Sequence, residues 1–476
     1  MSEPIVVTGL GLVTALGFGV RENWRRLIAG DAGIALLDAS RFAVPLELPV
    51  RLGAMVPRAA LADAIRAAVP RQVWNTSADV CHAWLLAALE ALAMAGLPVS
   101  AGRRGGSVTE GAAPPRTEGR ASLAPPAAAQ LPSAAGAEPP SATAAQLPGT
   151  AAARTGVYVG TGAGAATFTE QEYANVYTAE KAVQRDISRM AVPKHMASSL
   201  AAQLSILIGA RGPSLTVNTA CSSGATAVVL ALDALRLGRV ERAVVGGADL
   251  PLAGAVLKGF ANLSALSPRN ERGAAACRPF DAGRDGFVLG EGAACLVLET
   301  ARTAAARGAR AVARIAGGAA SSEAHHLLAP QENGVAMAEC MREALRDADV
   351  APGQVCHVYA HGTGTEYNDR CEAQALRAVL PHGPTVSATK SQLGHSLGAA
   401  GAIDAVLAAH GIAAGEALPC RNLDALDPEC PVTPARTVAV PGWGTQGLGV
   451  PGRRAFLVNS FAFGGHNATL VLLPAF

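Results

Sequence analysis

The sequence predicts an α/β protein built on largely buried sheets, and three observations carry that expectation. Short apolar runs alternate along the chain with longer Ala/Leu-rich stretches, the rhythm of strands followed by helices. At 476 residues, half of them hydrophobic, the chain can bury a substantial core as two ordinary domains or one large duplicated one. The succession of elements before about residue 308 resembles the succession after it, although the halves share no visible sequence repeat. We therefore expect two halves, 1–308 and 309–476.

Strands are expected, in order, at Ile5–Thr8, Val157–Val159, Leu215–Ala220, Arg242–Gly246 and Ala294–Glu299, then at His357–Ala360, Thr385–Thr389, Ala455–Ser460 and Ala468–Leu473. Helices fill the intervals at about 78–96 and at Ser222–Leu237, Asn333–Ala348, Asp369–Leu380 and Ala399–His410. Residues 98–154 break this rhythm. They are dominated by Ala, Pro, Gly and Ser and repeat AAQLP at Ala128–Pro132 and Ala144–Pro148, a composition that builds no core. The segment reads as a disordered surface insertion between the helix near 78–96 and the strand at Val157–Val159.

Composition excludes several classes. The net charge of +2 is spread without a long basic block, so nothing suggests nucleic-acid or membrane-surface binding. No uninterrupted apolar run approaches the roughly 20 residues of a membrane span, and the N-terminus lacks a basic-then-apolar signal segment. A cytoplasmic protein is expected. Nine cysteines occur without a CxxC pair, which argues against metal clusters and disulfide frameworks and for buried thiols.

One cysteine stands apart. In Leu215-Thr-Val-Asn-Thr-Ala-Cys221-Ser-Ser-Gly224 a strand meets a cysteine and a small-residue turn that opens a long apolar helix. Cys221 then sits at a helix N-terminus, where free N–H groups and the macrodipole favour thiolate. A second constellation, Tyr359-Ala-His361-Gly-Thr363-Gly-Thr365, delivers a histidine from a strand into a Gly/Thr loop, and a neutral imidazole there can donate to a developing oxyanion. A third, Ser387-Ala-Thr-Lys390-Ser-Gln-Leu-Gly394-His395-Ser396-Leu-Gly398, adds a lysine and a second histidine before another helix. Near the C-terminus, Asn459-Ser-Phe461-Ala-Phe463-Gly464-Gly465-His466-Asn467 runs from a strand into a glycine turn. There the Phe463 N–H can join that of Cys221 in an oxyanion hole.

Two segments mimic other chemistries. Gly394-His-Ser396-Leu-Gly398 fits the G-x-S-x-G elbow of serine thioesterases and acyltransferases, with Asp404 and His410 or His466 as triad partners, but this reading leaves the cysteine elbow unexplained. Gly160-Thr-Gly162-Ala-Gly-Ala165 fits a loose dinucleotide pattern, yet no second strand ending in an acidic residue follows at the required distance. It is read as a glycine-rich turn beside a pocket, with no nicotinamide or flavin. The neighbours His325 and His326 lack the third ligand and the spacing of a catalytic zinc site.

TACSSG, HGTGT, TKSQLGH and NSFAFGGHN, in this order and spread over the whole chain except the insertion, resemble the β-ketoacyl-acyl carrier protein synthases, the type II form especially. The resemblance implies a thiolase-like fold, two similar α/β halves in a five-layered αβαβα arrangement. It implies an acyl-accepting nucleophile at Cys221, a catalytic pair at His361 and His395, and supporting electrostatics from Lys390 and Glu372, with Thr363 and Thr365 in the same loop. It puts Phe463 in the gate and oxyanion hole, Ala163 and Phe260 at the acyl pocket, and Arg185 at the carrier-protein entrance. No metal or redox cofactor is expected, because loss of carbon dioxide drives the reaction. The implied partners are acyl- and malonyl-loaded acyl carrier protein and a second subunit, as a homodimer or with a related chain. Glu366 after HGTGT and Ala462 in the flap depart from the family pattern, whereas the retained Cys221 argues against the inactive relatives that lack it.

Overall fold

A computed structural model describes residues 3–38, 42–43, 48–98, 147, 149–177, 187–439 and 454–475. Sixteen elements carry the fold. In the first half these are β1 (Ile5–Thr14), α1 (Asp79–Met94), β2 (Thr155–Gly160), α2 (Ser199–Ile208), β3 (Ser214–Val217), α3 (Ser223–Arg236), β4 (Arg242–Asp249) and β5 (Gly292–Thr300). In the second they are β6 (Ala313–Ser322), α4 (Val335–Asp347), β7 (Val355–Tyr359), α5 (Glu366–Val379), β8 (Thr385–Ser387), α6 (Ala400–Ala414), β9 (Ala455–Ala462) and β10 (His466–Leu473).

The strand order repeats. Outward from the antiparallel pair β1–β6, which is centred on Val6↔Arg314, the order is β1-β5-β4-β2-β3 on one side and β6-β10-β9-β7-β8 on the other. Orientation repeats as well. β2 is parallel to β3 and β4, as β7 is to β8 and β9. β5 runs antiparallel to β4 and β1, as β10 does to β9 and β6.

Helices fill both sides of this double sheet and bury most of its strands on both faces, the edge strand β3 and the end of β6 excepted. Along β4, Ala243 and Val245 join the central cluster with α3 and α6, while Val244 points the other way into a cluster with α1 and α2. In the second half Val458 of β9 faces the centre and Leu457 faces α4 and α5. The result is the five-layered αβαβα, thiolase-like arrangement that the motifs implied. Helix α6 lies in the middle layer and is buried nearly all round, Asp404 and His410 being its two polar side chains. The 18-residue stretch Leu397–Ala414 is long and apolar enough to cross a membrane, with a mean hydropathy of 1.5, but 89% of it is buried inside the fold. The stretch is interrupted by Asp404 and His410, so it is not the uninterrupted apolar run that the sequence lacks.

Two further expectations change. Residues 99–146 and 148 lie outside the described residues, but the C-terminal end of the supposed insertion is structured. Leu147 is buried, its N–H donates to the Ile208 carbonyl, and Gly149–Ala153 is a short helix with Ala152 in the core. Strand β6 was not foreseen at all. Its sequence, ARIAGGAASS, lacks a sustained β-branched run, yet it pairs with β1 and β10 at the junction of the two halves.

Candidate active site

The residues singled out by the motifs converge at the carboxyl ends of the strands, where ligands bind in α/β sheets. After β3 the chain turns sharply through Ala220, whose φ of 50° is uncommon for a residue with a side chain. The Ser223 hydroxyl fixes this turn, accepting from the Thr219 N–H at 2.9 Å and donating to the Ala220 carbonyl at 2.6 Å. Helix α3 then starts, with Gly224 against α6. A Cβ on Gly224 would stand 2.9 Å from both Ala402 Cβ and the Gly398 carbonyl oxygen, so only glycine permits this approach.

Cys221 is buried at this elbow, with its Sγ 3.1 Å from Nε2 of His395. The backbone N–H groups of Cys221 and Phe463 both interact with the sulfur and, with the Lys390 ammonium, favour thiolate. Burial outweighs them and pushes the thiol up to about 12, the nearby Asp249 adding to the rise. The donors expected at the helix N-terminus are therefore present, but the resting sulfur is a thiol hydrogen-bonded to His395.

His361 follows β7, and its position is set from behind. The Glu372 carboxylate on α5 accepts the His361 and Gly362 N–H groups, each at 2.8 Å, and Asn459 Nδ2 donates to the same carboxylate at 3.3 Å. Burial raises Glu372 to about 7. Lys390 Nζ donates to the His361 carbonyl at 2.5 Å and stands 3.9 Å from Asp404. His395 is held as a bridge to the Val288–Gly290 segment, its N–H donating to Val288 and its carbonyl accepting from Gly290. The two imidazoles meet edge to face with centroids 5.3 Å apart. Burial, reinforced by Lys390, holds both well below the usual histidine range, so both are neutral. Thr363 and Thr365 share a hydroxyl hydrogen bond of 2.9 Å within the loop.

Aromatic rings continue from His395. Phe287 lies edge to face with it at 5.1 Å, Phe260 with Phe287 at 5.6 Å, and Phe463 stacks on Phe260 at 6.5 Å. Cys221, Phe287, Leu252, Leu257 and Leu397 form one apolar cluster, against which Ala163, Phe260 and Ala462 pack. Arg185 lies outside the described residues. In the GHSLG segment, Asp404 accepts from the Thr389 hydroxyl at 2.6 Å and His410 packs edge to face against Trp24 at 4.9 Å. Among the described residues the Ser396 hydroxyl bonds to neither, and no serine triad is assembled.

Two carboxylates went unnoticed in the sequence. Asp369, four residues past Thr365, accepts the N–H groups of Thr363 and Gly364 and that of Phe280, so it shapes the His361 loop from below. Asp249, the last residue of β4, binds the N–H groups of Gly162, Ala163 and Gly164. Those amides are thereby committed within the protein, which leaves the Gly160–Ala165 turn no free cradle for a pyrophosphate. Asp369 lies in the first turn of α5, just after the Gly/Thr loop it binds, and that adjacency was an available signal; Asp249 had none, since its donors lie far away in sequence.

Comparison with known proteins agrees with this arrangement. Residues 2–145 and 121–304 match the family described as beta-ketoacyl synthase, N-terminal domain, and residues 312–424 match beta-ketoacyl synthase, C-terminal domain. The chain is 30% identical over 482 residues to 3-oxoacyl-[acyl-carrier-protein] synthase 2 of Coxiella burnetii (strain RSA 493 / Nine Mile phase I), covering 99% of each chain. It is 36% identical over 316 residues to the protein of the same name from Mycobacterium tuberculosis (strain ATCC 25618 / H37Rv), covering 66% of this chain and 73% of that one. A solved structure described as "AntDE:AntF (apo): type II PKS acyl-carrier protein in complex with its ketosynthase bound to the hexaketide" superposes with a TM-score of 0.77 at 25% identity, over the full length of both chains. With the cysteine elbow, the histidine pair and the repeated five-layer architecture on one chain, and with family matches spanning both halves, this protein belongs to the β-ketoacyl synthase family.

Proposed function

We propose that this protein catalyses decarboxylative Claisen condensation of an acyl chain held on Cys221 with malonyl-acyl carrier protein, in fatty acid or polyketide biosynthesis. One observation carries the reading: a buried cysteine Sγ 3.1 Å from His395 Nε2, with a second neutral imidazole beside it and two backbone N–H groups at the sulfur. The thiol proton passes along the Sγ–Nε2 hydrogen bond as the sulfur attacks an acyl thioester. It leaves with the carrier's thiol, and the acyl group stays on Cys221. The N–H groups of Cys221 and Phe463 hold the tetrahedral oxyanion.

Malonyl-carrier protein follows. Neutral His361, and His395 once shifted to its Nε2–H tautomer, donate to its thioester oxygen, which lowers the cost of the enolate formed as carbon dioxide departs. The enolate carbon attacks the acyl-Cys221 carbonyl, β-ketoacyl-carrier protein forms, and the Cys221 thiolate expelled takes up a proton from solvent. Lys390 and Glu372 fix His361 through its backbone, while burial and the Lys390 charge keep both imidazoles neutral. Phe463 gates the site, and Ala163 and Phe260 line the acyl pocket.

We read the chain as halves 1–308 and 309–476, supported by the repeated strand order and by the family matches that end at 304 and resume at 312. The partner is acyl carrier protein, drawn to a basic rim, with Arg185 the anchor that the family resemblance implies, and the working assembly is a dimer in the cytoplasm. The test is mass spectrometry of the protein after exposure to acyl-carrier protein, followed by malonyl-carrier protein. An acyl adduct on Cys221, cleared with release of carbon dioxide, is expected. Cys221→Ala should abolish condensation, and Cys221→Gln should keep malonyl decarboxylation. Condensation by Cys221→Ala, or an acyl group on another residue, would overturn the reading.

A further inference from the structure

We propose that Asp249 is a positioning residue for this reaction, clamping the Thr161–Gly164 turn to the Leu397–Ala399 turn so that the pocket wall and the histidine side of the site are set by one carboxylate. The proposal rests on the reading of Cys221 as nucleophile.

Asp249 is fully buried at the end of β4. Its Oδ1 accepts the Thr161 hydroxyl at 2.7 Å, the Ala163 N–H at 3.0 Å and the Gly164 N–H at 3.2 Å. Its Oδ2 accepts the Gly162 and Gly398 N–H groups, each at 2.7 Å. Thr161–Gly164 carries Ala163 beside the Cys221 cluster, while Gly398 lies three residues after His395. One side chain therefore bridges loops that lie 236 residues apart in sequence, from Gly162 to Gly398.

The clearance makes the clamp specific. A Cβ on Gly398 would lie 2.4 Å from the Gly162 nitrogen and 2.7 Å from Asp249 Oδ2, so the two turns meet backbone to backbone with the carboxylate between them. The same turn is tied to the nucleophile elbow. Asn218 Nδ2 donates to the Gly162 carbonyl at 3.2 Å, and Ser223 Oγ to the Thr161 carbonyl at 3.3 Å. Among the described residues no cation forms an ion pair with Asp249, so its charge is met by amides and one hydroxyl and acts on the nearby sulfur. Lys390 opposes it there, and His395 is the neutral group in contact.

The experiment uses the full-length protein and measures three quantities: acyl transfer to Cys221, malonyl decarboxylation, and the pH midpoint of Cys221 alkylation by iodoacetamide. Asp249→Asn keeps the shape but removes the charge and turns an N–H2 group toward N–H donors. It should lower acyl transfer at least tenfold and shift the alkylation midpoint to lower pH by about half a unit or more. Thr161→Val removes one donor from the clamp and is the control should Asp249→Asn fail to fold. It should lower the ratio of acyl transfer to decarboxylation at least threefold, whereas a loss of folded protein alone lowers both together. An unchanged ratio in Thr161→Val overturns the proposal, as does an unmoved midpoint in a folded Asp249→Asn. Alkylation of wild type at a residue other than Cys221 would instead overturn the nucleophile assignment on which it rests.

Discussion

Removing the Glu372 carboxylate should separate the two half-reactions, because this group touches His361 and not Cys221. Glu372→Ala strands the His361 and Gly362 N–H groups in the interior. A buried donor without a partner costs about 1–3 kcal/mol, so two give a loss of about 2–6 kcal/mol. Glu372→Gln keeps one oxygen and strands one donor, a loss of about 1–3 kcal/mol. The pH dependence carries a sign. Burial raises the carboxyl from 4.5 to about 7 in the folded protein, so folding favours the protonated form. Its contribution to stability is greatest below the unfolded value and is lost as pH rises from 4.5 through about 7, by about 3 kcal/mol in all. The deficit of Glu372→Gln should therefore shrink by about that amount between pH 4.5 and 8, which denaturant titration at several pH values will read. Malonyl decarboxylation should fall roughly ten- to hundredfold in Glu372→Ala as His361 loses its anchor, with acyl transfer to Cys221 falling much less. Equal losses in both half-reactions, or a deficit of Glu372→Gln that does not change with pH, would refute this account.

Ala163→Ile adds three carbons to the pocket wall and should displace about three acyl methylenes at about 0.8 kcal/mol each, shifting preference toward shorter primers by roughly fiftyfold. Competition between short and long acyl-carrier proteins reads this, and an unchanged product distribution would put the pocket floor elsewhere. Ser396→Ala should cost little activity, whereas an acyl group trapped on Ser396 would restore the serine-hydrolase reading. Excising residues 101–143 should leave turnover nearly unchanged, because their composition supplies no core. A severalfold loss on that deletion would make the segment a functional element.

Legibility followed local chemistry. Val157–Val159 and Arg242–Gly246 announced strands because β-branched runs of that length fit a buried sheet, and the structure extends both to Thr155–Gly160 and Arg242–Asp249. Cys221 and His361 were legible because each leaves a strand into a small-residue turn, and His395 because it follows Gly394, although a short helix, Lys390–Leu393, separates it from its strand. Strand β6 was not, since tertiary packing fills it with small residues. A Cβ on Gly317 would stand 2.5 Å from the Ala348 nitrogen, and one on Gly318 would stand 3.1 Å from a Val229 methyl. Asp249 escaped for a related reason. Its donors lie at Thr161–Gly164 and Gly398, separated from it by tens of residues or more, and a single aspartate at a strand end shows nothing of that in sequence. Leu147 sat inside a low-complexity repeat and was masked by its neighbours, although it is the residue of that repeat found in the core.

The repeated topology also shows how one architecture divides its labour. Cys221 stands two residues before α3, and the matching place two residues before α6 is Gly398. His361 stands two residues past β7, and the matching place past β2 is Gly162. Each reactive position thus has a twin that bears no side chain at all, and both twins donate their N–H groups to the same oxygen of Asp249. Emptying one member of each pair is what lets the other reach across the junction. A Cβ on Gly398 would stand 2.4 Å from the Gly162 nitrogen and one on Gly162 3.3 Å from the Gly398 nitrogen, so the proposed chemistry depends as much on the two places kept vacant as on the two that are filled.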